Sequence, residues 1–88
     1  HVPDVFVVVA KPEAAGTAFG LATKLRERGL HAELEQAGRS VKGQFKHADR
    51  IGARRVAIVG DAIEVKDMAS GEQREVAGVD EAVAELAP

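Results

Sequence analysis

Six basic side chains, Arg39, Lys42, Lys46, Arg50, Arg54 and Arg55, crowd one short stretch of this chain, with Asp49 the one acid among them. That stretch carries +5. The rest holds six basic and thirteen acidic residues, or −7, within a net charge of −2. A guanidinium such as that of Arg39 presents a fork of N–H donors that fits a guanine edge or a phosphate. Lys42 and Lys46 are spaced one helical turn apart, so both can face one polyanion backbone. Gln44 and Asp49 carry groups suited to base edges, and equally suited to capping or pairing locally. A mildly acidic protein can still show a polyanion one basic face. Charge alone favours the plainer reading, a solvated helix face beside a basic loop. The overall balance argues against a sequence-blind nucleic-acid coat, which would be basic throughout. With aromatic residues at only 3%, base stacking is not expected to supply most of any affinity.

Other chemistries find no support. The chain has no Cys, which excludes a disulfide scaffold, a thiolate metal site and a cysteine nucleophile. His1, His31 and His47 are scattered and form no zinc-binding pattern. Neither a phosphate-binding G-x-x-x-x-G-K-[ST] loop nor a G-x-S-x-G elbow occurs. No apolar run reaches the roughly 20 residues of a membrane helix, and no signal-peptide pattern is present. The length, 88 residues, suits one domain spanning 1–88. Because the first residue is His1 rather than Met, we expect a fragment of a longer protein.

The elements that must position the basic stretch follow from periodicity. Residues 4–10 form a Val-rich run expected to be a buried strand. Pro12 and Glu13 signal a helix start. Over 14–28, Ala15, Ala18, Phe19, Ala22 and Leu25 recur at helical spacing as one apolar face, and Gly29 ends it. Residues 30–35 alternate, with His31, Glu33 and Glu35 on the outer side of an expected edge strand. After a turn at 37–39, Ser40 is a fitting N-cap. Val41, Phe45, Ala48 and Ile51 then mark the buried face of a second helix, closed by Gly52. Phe45 is read as core rather than as a stacking platform, and His47 as a surface residue. Asp49 has Lys46 or Arg50 within pairing distance on the same helix. Strands are expected at 55–59, 62–68 and 73–77, and Asp80 is placed as the cap of a last helix.

The order is β-α-β-α-β-β-β-α. Two βα units demand three parallel strands with right-handed crossovers. Short links then make strand four antiparallel and return strand five to the common direction. The expected fold class is α/β: a three-layer α/β/α domain with a mixed five-stranded sheet.

The stretch 38–53, G-R-S-V-K-G-Q-F-K-H-A-D-R-I-G-A, resembles a signature of the C-terminal anticodon-binding domain of histidyl-tRNA synthetase. The residues in register are Arg39, Ser40, Lys42, Gln44, Phe45, Lys46, Ala48, Asp49, Gly52 and Ala53. The continuation V-A-I-V-G at 56–60, V-K-D-M at 65–68 and G-E-Q at 71–73 also match. The resemblance covers nearly the whole chain and extends remotely to the threonyl, prolyl and glycyl enzymes. One departure stands out. Only Asp61, Ala62, Ile63 and Glu64 separate Gly60 from Val65, fewer than the family usually carries. Either the hairpin is shortened or a mobile loop is missing between Asp61 and Ala62; the missing loop is our expectation.

The resemblance implies RNA binding by Arg39, Ser40, Lys42, Gln44, Lys46, Asp49, Lys66 and Asp67. Lys66 and Asp67 would read an acceptor and a donor on one base as a pair, and Lys11 lies at a strand end where a contact is possible. The partner implied is the tRNA-His anticodon stem-loop. The parent would be a cytoplasmic, homodimeric ligase that uses ATP and Mg²⁺ through a histidyl-adenylate, on a catalytic domain separate from this one. This domain itself would carry no catalytic residue, cofactor or metal. A rival reading is a histidyl-synthetase-like module of a regulatory protein that senses tRNA or dimerises. A flavodoxin-like nucleotide binder is disfavoured, because Lys11-Pro12-Glu13 stands where a glycine loop would be needed.

Overall fold

The computed structural model describes residues 2–35 and 38–87; His1, Gln36, Ala37 and Pro88 lie outside the description, and with them the start of the expected turn at Ala37. The strands are β1 (Val5–Val9), β2 (Ala32–Leu34), β3 (Arg55–Val59), β4 (Ile63–Asp67) and β5 (Gln73–Val76). The helices are α1 (Ala15–Glu27), entered through a 3-10 turn at Pro12–Ala14, α2 (Val41–Arg50) and α3 (Val79–Leu86). The sheet order is β2-β1-β3-β4-β5. β1 pairs parallel with β2 and β3, and β4 runs antiparallel to β3 and β5, as the link lengths require.

Alternation along the strands divides the core in two. Val5, Val7, Ala57 and Val59 face α1 and α3, where Leu21, Leu25 and Leu86 are fully buried. Phe6, Val8 and Val56 face α2 and pack with Ala48 and Ala53. This gives the expected three layers, with two helices on one side and α2 alone on the other.

Some sequence expectations are corrected. Phe19 is 59% exposed and Ala15 is exposed, while Ala14 and Leu21 are buried with Ala18, Ala22 and Leu25. Phe19 and Leu21 stand about 200° apart on a helix, so one sheet cannot cover both, and Leu21 shares the stripe of Ala14, Ala18 and Leu25. Asp80 does not cap α3. Gly78 holds that position, and Asp80 sits in the first turn 3.1 Å from Lys24 Nζ. Glu35, placed outside by alternation, is buried.

The β3–β4 connection is a closed hairpin and not an interrupted loop. Val59 pairs with Ile63, so only Gly60, Asp61 and Ala62 make the turn, and the Gly60 N–H donates to the Ala62 carbonyl at 3.0 Å. Asp61 is ion-paired with Lys11, tying the hairpin to the end of β1. A three-residue loop suffices because β3 and β4 are adjacent and antiparallel.

Candidate nucleic-acid interface

The parallel strands β1 and β3 point their carboxyl ends at the same edge of the sheet, where the first turns of α1 and α2 also begin. A cleft opens there between Ala10, Lys11 and Pro12 on one side and Gly38, Arg39 and Ser40 on the other. Crevices beyond the carboxyl ends of strands are where open α/β sheets bind ligands. The Ser40 hydroxyl accepts from the Gly43 N–H at 3.1 Å, so the expected N-cap is present. The N-terminal N–H groups and dipole of α2 make this end of the cleft hospitable to negative charge.

Arg39 stands at the cleft mouth with its side chain partly exposed. Its Nη1 donates to Glu35 Oε1 at 2.8 Å, and its backbone N–H donates to Glu35 Oε2 at 3.3 Å. The Glu35 side chain is only 3% exposed. One edge of the guanidinium is therefore anchored on a buried carboxylate, while its other donors remain for a ligand. Sequence reading missed Glu35 because strand alternation put it outside. No sequence signal marked the pair, because Glu35 and Arg39 lie outside any helix, where a spacing of four carries no pairing rule.

Gln44 is buried beneath the cleft, and its amide is engaged with Val9 and Arg39. With its amide engaged in this way, it supports the cleft from beneath. Of the two uses open to it from sequence, base contact or local pairing, the fold shows the amide paired within the chain. Its burial was not marked by helical periodicity, since Gln is usually exposed.

A second surface runs along α2. Lys42, Lys46 and Asp49 on the helix and Lys66 on β4 line one groove, floored by Phe45 and Met68. Lys66 Nζ lies 5.3 Å from the Phe45 ring centroid, a cation–π contact that holds the ammonium over the groove. Phe45 is half-buried and packs against the α2-side core, as expected. Asp49 forms neither expected helical ion pair among the described residues; Arg50 Nη2 instead lies 3.4 Å from His47 Nδ1. His47, expected at the surface, is half-buried with its ring edge-on to Phe6 at 5.5 Å.

Lys66 and Asp67 do not share a face of the sheet. Neighbouring strand residues point to opposite faces, so Lys66 lies on the α2 side and Asp67 on the α1/α3 side. The Asp67 carboxylate accepts the N–H groups of Ala69 at 2.9 Å and Ser70 at 3.0 Å, closing the β4–β5 turn. These donors hold its pKa below the usual carboxylate value, the Ser70 N–H first. The folded chain thus binds this proton less readily than the unfolded chain. Its contribution to stability is present above the ordinary Asp pKa near about 4 and is lost as pH falls through the lower folded value. We expect Asp67→Asn to lower the melting temperature slightly at neutral pH, with the gap closing as pH falls below the ordinary Asp value, read by thermal melts from neutral to acid pH. Arg55 is also structural: its guanidinium donates to the Glu85 and Leu86 carbonyls at 3.1 Å each, at the C-terminus of α3.

The sequence matches the family model described as "Anticodon binding domain" over residues 4–87. The chain belongs to the anticodon-binding domain family. The histidine–tRNA ligase of Rubrobacter xylanophilus is 46% identical over 81 residues, covering 85% of this chain and 19% of that protein. The apo histidyl-tRNA synthetase of S. aureus superposes with a TM-score of 0.87 at 32% identity, over 99% of this chain and 24% of that one. The RNA binding domain of threonyl-tRNA synthetase from Cryptosporidium parvum gives a TM-score of 0.83 at 9% identity, a likeness of fold alone. The domain spans about a fifth of the length of the curated relatives it matches.

Proposed function

We propose that this domain recognises the anticodon of tRNA-His as the C-terminal part of a histidine–tRNA ligase. The observation that carries the reading is the convergence of Lys42, Lys46 and Lys66 on one groove, on a domain whose relatives are histidine–tRNA ligases. The three ammonium groups would follow the phosphate backbone. Arg39, at the cleft mouth, would give its remaining donors to a base edge, with Ser40 and Lys11 beside it. Asp49, exposed at the groove, is available to accept from a base amine.

The mechanism on this reading is positional. Anticodon binding here would orient the acceptor end of the tRNA at the catalytic domain, where ATP, Mg²⁺ and histidine react. The parent would be a cytoplasmic homodimer. Among the described residues, no helix is long and apolar enough to cross a membrane.

The test is a titration of the domain with a tRNA-His anticodon stem-loop and with loops carrying altered anticodon bases, at two salt concentrations. Preference for the native loop supports the reading, and equal affinity for all loops overturns it. Lys42→Ala and Lys46→Ala are expected to weaken native and altered loops alike. Each should reduce the slope of log affinity against log salt by about 0.7–1. An unchanged slope would remove the residue from the phosphate path.

A further inference from the structure

β2 is short, and this leaves a gap in the sheet. Its last residue, Leu34, pairs with Val7, and the Val7 carbonyl accepts the Glu35 N–H at 3.3 Å. The next peptide group on that edge of β1 belongs to Val9, and among the described residues no strand lies beside it. Gln44 takes the vacant place. The Val9 N–H donates to Gln44 Oε1 at 2.8 Å, and Gln44 Nε2 donates to the Val9 carbonyl at 2.8 Å. The amide thus pairs with Val9 as a neighbouring strand would. A further Nε2–H donates to the Arg39 carbonyl at 3.0 Å. Both amide hydrogens and the oxygen are engaged, and the side chain is 3% exposed.

This one side chain joins the two walls of the cleft. Val9 leads into Ala10 and Lys11, and Arg39 begins the opposite wall. We propose that Gln44 is a positioning residue that sets the width of this cleft and so the discrimination among anticodon bases. The proposal rests on the anticodon reading above. On it, Arg39 faces a base across a gap whose far wall is held at constant distance. Loss of the clamp lets the Gly38–Ser40 segment move relative to Lys11. The alignment of a base-edge contact then suffers, whereas phosphate contacts from Lys42 and Lys46 are tolerant of such movement.

The test compares wild type, Gln44→Met and Gln44→Glu by affinity for the native stem-loop divided by affinity for base-altered loops. Met keeps the length and loses every hydrogen bond. Glu turns a carboxylate oxygen toward the Val9 and Arg39 carbonyls. Ala48→Gly is the control, because it weakens the packing of α2 on the sheet without touching the clamp. Gln44→Met should lower the ratio roughly tenfold, in the range of one base-edge contact, with little change for the altered loops. Ala48→Gly should lower the melting temperature and leave the ratio intact. Gln44→Glu should lose the ratio at neutral pH and regain it, relative to wild type at the same pH, as acidification restores an O–H donor. That recovery decides the matter if Gln44→Met does not fold. A folded Gln44→Met with the wild-type ratio overturns the role of Gln44 and leaves the anticodon reading standing. An equal loss in Ala48→Gly overturns it too, since destabilisation alone would then suffice. If wild type itself does not distinguish the loops, the anticodon reading fails and the role of Gln44 with it.

Discussion

Arg39→Ala is expected to weaken binding of the native anticodon stem-loop by about 1–3 kcal/mol, or roughly 5- to 150-fold. The effect on base-altered loops should be smaller, because on the proposed reading their phosphates would still meet Lys42, Lys46 and Lys66, which line one groove. A second consequence follows from the fold. Arg39 is a charge-assisted partner of Glu35, whose side chain is buried, so its removal should also cost about 1–3 kcal/mol of stability. The two consequences can be separated. In the double variant Arg39→Ala/Glu35→Gln the buried charge is gone, and stability should recover while binding does not. Stem-loop titration and denaturant unfolding of both variants check this. Unchanged binding by a folded Arg39→Ala would remove Arg39 from the interface.

Phe6→Ala is expected to cost about 3–5 kcal/mol, the usual range for deleting a buried aromatic ring. Phe6 is 1% exposed at the centre of the smaller cluster, among Val8, Ala48 and Val56, with the His47 ring edge-on. α2 has few other anchors on its side of the sheet. Domains of this size have little stability to spare, so the loss approaches the total. The result should be a chain largely unfolded at 37 °C, with RNA binding lost as α2 leaves the sheet. Phe6→Leu should cost far less, because most of the volume is kept. Denaturant unfolding followed by circular dichroism reads both. A loss below about 1 kcal/mol for Phe6→Ala would show that the layer closes over the cavity.

The order of elements, the mixed sheet and the Ser40 cap were legible because each depends on near neighbours in sequence. Period-2 runs, Gly at helix ends and a Ser ahead of an apolar helical face need no knowledge of what packs opposite. The separation of Lys66 from Asp67 was also within reach, since adjacent strand residues always face opposite ways. Reading them as one base-recognising pair set that rule aside.

By itself, then, the sequence determined the three-layer architecture, the basic character of α2, and family membership through the run at 38–53. Only the tertiary structure decided which helix stripe meets the sheet, and so left Phe19 outside and Leu21 inside. It also decided that Glu35 lies beneath Arg39 and that the Gln44 amide pairs with β1. These outcomes turn on where β2 stops relative to β1. An unpaired peptide group at Val9 must find a partner, and the side chain that reaches it comes from 35 residues away in sequence.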